Sequence, residues 1–222
     1  MIIVYSLFVF IAVVLVHLAI NQLPGLILNN QEIKFNLSEL KQHNPFDTKT
    51  SYNLVINIVA ISIAVAIAYL FGVTLESFFY LILPYSLLAL FFIDLKNQLL
   101  PDIITLPLLW IGLLYQIYFG DLETGVIGAI FGYMSLWSVY WLHKLLSNKE
   151  GLGYGDFKLT AAIGAWMGWQ ALPQILLFAA IFASVFFAIK KIDKNKPFAF
   201  GPFLIISAVS ITLTNYTFWY IH

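Results

Sequence analysis

The 222-residue chain contains no cysteine and no arginine, and charged side chains make up only 10% of it. Without cysteine there is no disulfide, thiolate nucleophile, iron–sulfur cluster or cysteine-bound zinc. Without arginine, the eleven lysines are the only strong cations, and the acids balance them to a formal net charge of zero. No basic block interleaved with aromatics is present, which argues against nucleic acid as a partner. Internal repeats and low-complexity linkers are absent as well. What fills the chain is apolar: 61% of residues are hydrophobic, against about 45–50% apolar and about 25% charged in a soluble domain. Composition therefore places the chain in a lipid bilayer.

Apolar runs, set against the roughly 20 residues needed to cross a bilayer, predict an all-α, polytopic membrane helix bundle with about eight transmembrane helices. The expected spans are 2–22, 54–72, 77–94, 103–119, 125–143, 157–169, 172–190 and 200–220. The first run has neither a charged leading region nor a small-residue cleavage site, so a retained span is expected. The segment 157–169 is short and is followed by Gln170 and Pro173. It fits either a re-entrant pair with its successor or a thin helix bearing a site. With eight spans, every lysine falls on one side, while the opposite loops carry Glu76, Asp121 and Glu123. Excess lysine marks the cytoplasmic side, which would put both termini outside the cytoplasm and Asp94, Asp102 and Asp156 at the cytoplasmic face. Residues 24–53 form the one sizeable polar segment, expected as a loop on the membrane or packed on the bundle. Thirty residues or so rarely hold a core without a metal or a disulfide.

Gly151-Leu152-Gly153-Tyr154-Gly155-Asp156-Phe157-Lys158 sets three glycines and an acid beside an apolar segment. Glycines at alternate positions leave the backbone bare and able to take positive φ, so a substrate's main chain can approach. Gly153 and Gly155 are accordingly candidate substrate-binding residues. An acid costs about 2.5–3.5 kcal/mol at the centre of a span and less near its ends, which makes Asp156 a functional candidate. Asp94 closes an apolar run, where the helix dipole disfavours a negative charge; pairing with Lys96 is its alternative role. Asp102 follows Pro101 at a helix start and is expected first as a local cap. Lys158 is expected as an interfacial anchor, or as a cation steadying the charged acid.

Two acids converging on one membrane face suggest an aspartyl-type pair. One carboxylate takes a proton from water while the other donates to a peptide carbonyl oxygen, and the two share one proton because adjacent like charges are costly. Placement at helix ends predicts Asp156 as the ionised base and Asp94 as its protonated partner. His17 and His143 lack matching residues at ligand spacing, so no metal or other cofactor is expected. Ser135, Ser138 and Ser184 fit helix packing, and Trp110, Trp137, Trp141, Trp166 and Trp169 fit interfacial and packing roles. A proton or cation carrier using intramembrane acids is the alternative; acids near one face, rather than the midplane, count against it.

Ile93-Asp94 with Gln98-Leu99-Leu100-Pro101-Asp102 is followed, in order, by Leu106-Pro107-Leu108-Leu109-Trp110 and by the run from Gly132 to Trp141. The blocks Lys149 to Lys158, Gly164-Ala165-Trp166 and Phe200-Gly201-Pro202-Phe203 complete the series. Together these blocks resemble the type IV prepilin peptidases, membrane aspartyl proteases of the GxGD class. The resemblance implies Asp94 and Asp156 as the catalytic pair. It also implies cleavage after a glycine, at the cytoplasmic face of the inner membrane, just before the hydrophobic helix of a type IV prepilin or type II secretion pseudopilin. The N-terminal part departs from that family, many of whose members also methylate the new N-terminus. His17 and Gln22 stand where its Asn and Arg are found, Asn44 and Asp47 replace the first cysteine pair of its zinc loop, and the second pair is missing. Leu23-Pro24 and Phe35-Asn36-Leu37-Ser38 look like remnants. The expectation is a degenerate methyltransferase-like region over 1–53, a peptidase domain over 54–222, and no methyltransferase activity. A non-catalytic pilin-assembly factor is a further alternative.

Overall fold

The computed structural model describes residues 2–28, 51–147, 153–190 and 199–221. Among them stand eight helices: α1 (Ile2–Leu28), α2 (Ser51–Phe71), α3 (Leu75–Asn97), α4 (Asp102–Phe119), α5 (Leu122–Ser147), α6 (Tyr154–Met167), α7 (Leu172–Lys190) and α8 (Gly201–Ile221). In lipid every backbone polar group must be satisfied within the protein, and helices do this segment by segment. The protein is a polytopic helical membrane protein. The polar stretch 29–50, with Asn36, Asn44 and Asp47, and the residues 148–152 lie outside the described residues.

Five helices, α1, α3, α4, α5 and α7, are long and apolar enough to cross a membrane. α2 and α8 are apolar over the shorter described stretches Val55–Phe71 and Gly201–Thr214. The fourteen residues of α6 rise about 21 Å at 1.5 Å per residue, less than the roughly 30 Å of a hydrocarbon core. All eight expected helices are present, and α6 is a short buried helix rather than a full span.

The chain divides into two compact units, Met1–Ile93 and Asp94–His222. In the first, α1 packs on α2 around Val13, Val16, Ile20, Ile56 and Ala60. Large side chains with polar tips tie it together: Tyr5 Oη donates to the Ala64 carbonyl at 2.9 Å and Tyr85 Oη to that of Ala60 at 2.8 Å. His17 Nε2 lies 2.7 Å from Asn57 Oδ1.

The second unit is built around α6, whose residues from Leu159 to Trp166 are all buried. It packs most extensively on α5, then on α4, and also touches α8. The α5–α6 crossing is close because both helices present glycine. A Cβ on Gly128 would overlap the Gly164 carbonyl, and one on Gly132 would lie 2.5 Å from the Thr160 oxygen. Gly128 and Gly132 have the small-xxx-small spacing that lets backbones meet in lipid, where no hydrophobic force drives helices together. On the α4 side Trp166 lies over Gly112, its Nε1 donating to the Leu108 carbonyl at 2.8 Å, while Gln116 Nε2 donates to the Trp166 carbonyl at 2.9 Å. Bonds of this kind average only about 0.6 kcal/mol between membrane helices. They therefore set the rotation of α6, while close packing supplies most of the attraction. Gly168, at φ 77°, stops the helix by returning its N–H to the Gly164 carbonyl at 2.8 Å. That left-handed backbone suits glycine.

Candidate active site

Asp94 occupies the last turn of α3. Gln98, at φ 52°, ends that helix and returns its N–H to the Asp94 carbonyl at 2.9 Å. A side-chain-bearing residue in left-handed backbone costs about 1–2 kcal/mol, so the helix is stopped here at some expense, one turn after the acid. Leu99, Leu100 and Pro101 then turn the chain into α4. Pro101 is the N-cap of α4, with no side-chain cap bond.

Asp156 stands in the first turn of α6, with Gly153 at the N-cap in extended backbone, φ −80° and ψ 144°. The Asp156 carboxyl reaches back to accept the Gly153 N–H, satisfying one of the donors a helix start leaves open. The Asp94 carboxyl accepts the Gly201 N–H at the start of α8. Both acids are buried, at 4% and 6% exposure, and the two interact electrostatically. Asp94 Oδ2 is buried without a hydrogen-bond partner. The expected asymmetry of proton affinity loses its premise: each carboxyl faces the positive end of a helix, because α8 supplies for Asp94 what the end of α3 does not.

The remaining candidates are placed differently from expectation. Asp102 is not a local cap: Lys158 Nζ donates to both of its carboxylate oxygens, at 2.7 and 2.6 Å. Lys158 is thereby an ion-pair partner of Asp102 and ties the start of α6 to the start of α4, rather than steadying Asp156. Gly153 and Gly155 do not adopt positive φ. Gly155 is bare for a different reason, since a Cβ there would lie 2.8 Å from Leu100 Cβ. Gly151 lies outside the described residues. Ser135 and Ser138 donate to carbonyls one turn back on α5, as packing serines do. Among the described residues, no group of three or more His, Cys, Asp or Glu could hold a metal ion.

Two contributors escaped sequence reasoning as site residues. Leu100 resembled any apolar residue before a proline. Gly201-Pro202 ahead of an apolar run signals a helix start, yet nothing in the run says that the start faces Asp94.

Residues 81–188, which hold both acids and both candidate glycines, match the model of the type IV leader peptidase family. This segment belongs to that family. The chain is also similar to the prepilin leader peptidase/N-methyltransferase of Aeromonas salmonicida, strain A449, at 49% identity over 149 residues, 64% of this chain and 51% of that protein. The protein of the same name from Dichelobacter nodosus is 46% identical over 156 residues, 69% of this chain and 54% of its own. That of Pseudomonas aeruginosa is 46% identical over 147 residues, 64% and 51%. The chain thus spans about half the length of the curated relatives it matches. No solved structure matches it. Gly201 lies beyond the matched leader peptidase segment, although its N–H serves an acid inside it.

Proposed function

We propose that the protein is a membrane aspartyl endopeptidase that removes the leader from type IV prepilins or type II secretion pseudopilins, without N-methyltransferase activity. The observation that carries this reading is the burial of two acids, Asp94 and Asp156, beside helix starts that both rest on Leu100, within a leader peptidase segment. Burying either acid opposes stability, so chemistry is the better account of why two are kept together. In the reaction one carboxylate takes a proton from water, and the water oxygen attacks the peptide carbonyl carbon. The other carboxyl, protonated, donates to the carbonyl oxygen; collapse breaks the C–N bond as a proton passes to the leaving amine. Gly153, in extended backbone ahead of α6, offers the edge along which an extended leader would lie, and Gly155, seated inside α6 against Leu100, backs that edge, while the pilin's apolar helix rests against the bundle in lipid.

The lysine distribution supports an active site facing the cytoplasm, in a multi-pass protein of the inner membrane. The complete lack of cysteine supports loss of the methyl-transferring half, with residues 1–53 as its degenerate remnant and 54–222 as the peptidase domain. Purified protein in detergent, incubated with a prepilin, tests the activity. Asp94→Asn and Asp156→Asn are each expected to lower cleavage by about 100- to 10,000-fold. Either variant cutting at the unaltered rate would remove the acid pair from the chemistry. A prepilin that binds the unaltered protein and stays uncut would point to an assembly factor instead. Transfer of a methyl group from S-adenosylmethionine to the new N-terminus would refute the second half of the proposal.

A further inference from the structure

α8 starts with the Phe200 carbonyl accepting the N–H groups of Phe203 at 3.0 Å and Leu204 at 3.3 Å. A helix start leaves its first donors without partners, and Pro202 has no N–H to offer. The donor at Gly201 is given to the Asp94 carboxyl. A Cβ on Gly201 would lie 2.5 Å from Asp94 Oδ2, 3.2 Å from Asp94 Cγ and 3.3 Å from Leu100 Cδ1. Gly201 therefore abuts the one Asp94 oxygen that no protein group has taken up. On the other side, a Cβ on Gly155 would lie 2.8 Å from Leu100 Cβ and 3.3 Å from Leu100 Cδ1. One buried leucine thus rests against two bare backbones, the starts of the two helices that hold the acids.

We propose that Gly201 is a positioning residue for the acid pair. Its N–H holds the Asp94 carboxyl, its missing side chain makes room for Asp94 Oδ2, and Leu100 spaces it from Gly155 on the helix that carries Asp156. The inference rests on Asp94 and Asp156 being the reacting acids. Gly201 touches no reacting atom of the substrate; it decides where one carboxyl stands relative to the other. Displacing a catalytic group by about 1 Å can cost on the order of 100-fold in rate.

Steady-state cleavage of a prepilin by the full chain separates this role from a merely structural one. Gly201→Ala is expected to lower kcat by roughly 10- to 100-fold, with KM held within about twofold and an unchanged melting midpoint. Adding Leu100→Ala to Gly201→Ala, which gives the new methyl group room, is expected to restore part of that loss. An unchanged kcat in Gly201→Ala, or a double variant as poor as the product of its single losses, would overturn the proposal. If Gly201→Ala does not accumulate as folded protein, Leu100→Ala decides alone: a several-fold lower kcat at constant KM supports the spacer, and an unchanged kcat overturns it. Asp94→Asn and Asp156→Asn are run alongside. Normal cleavage by these two sinks the functional reading and this inference together, whereas their inactivity beside a fully active Gly201→Ala sinks this inference alone.

Discussion

Glycines in the two compact units meet different surroundings. A Cβ added to Gly25 or Gly72 in the first unit meets nothing within 4 Å. In the second unit, one on Gly112 would meet the Trp166 ring at 2.5 Å, one on Gly132 the Thr160 carbonyl at 2.5 Å, and one on Gly155 or Gly201 the surroundings of the acids. The first unit is held by long side chains that reach across to backbone carbonyls. The second has such bonds too, and adds backbone lying directly on backbone where Gly128 and Gly132 of α5 meet α6. In lipid, where apolar burial alone does not bring helices together, such close approach is a main source of attraction. It also explains how a helix of fourteen residues, too short to span, keeps an acid in a defined place.

The sharpest break in this contrast lies at the acids themselves. Asp94→Asn or Asp156→Asn should lower cleavage by about 100- to 10,000-fold while leaving the melting midpoint unchanged or raising it by the equivalent of about 1 kcal/mol, as expected when stability has been traded for activity. A parallel loss of folding would mean that the acids are structural. The glycine contrast is tested next by melting experiments on Gly164→Ala and Gly25→Ala. The first forces a methyl group into the Gly128 backbone and should cost about 1–3 kcal/mol, as overpacking does. The second sits in open space on α1 and should gain up to about 1 kcal/mol from helix propensity. Equal effects would erase the distinction between the units.

Smaller effects follow from the polar tips. Trp166→Phe removes the bond to the Leu108 carbonyl together with part of the ring packed on Gly112, and should cost somewhat more than the roughly 0.6 kcal/mol average of a bond between membrane helices, seen as a lower denaturation midpoint. Its counterpart in the first unit, Tyr5→Phe, removes the bond to Ala64 and should cost nearer 0.6 kcal/mol, roughly the membrane average. The smallest effect concerns Asp121, the exposed N-cap of α5. Its carboxyl accepts the Thr124 hydroxyl at 2.6 Å and the Glu123 N–H at 3.1 Å. The Thr124 hydroxyl, helped by the Glu123 and Thr124 N–H groups, holds it below the ordinary value of 3.8. A folded value below the unfolded one adds stability above the unfolded value, and that increment is lost as pH falls through the folded value. The stability difference between the unaltered protein and Asp121→Asn should therefore be present near neutrality and fade in acid. A difference that persists unchanged below that range would show that the carboxylate charge is not what caps α5.

Much of this protein was legible in its residues. Apolar runs located all eight helices, because a chain in lipid must satisfy its backbone within each segment, and the cost of an acid near hydrocarbon singled out Asp94 and Asp156. The short apolar run before Gln170 and Pro173 already marked α6 as unusual. What residues alone did not decide was which helix ends meet. Asp102 was expected as a cap from its neighbours, yet its partner is Lys158, 56 positions away. The end of α3 predicted an unfavourable field at Asp94, yet α8 brings a helix start to it across more than a hundred residues. Local pattern sets which way each helix is polarised and which side chains are costly in lipid. Only the packing of bare glycine backbones around Leu100 decides that two such helix starts, and the acids they hold, stand in one place.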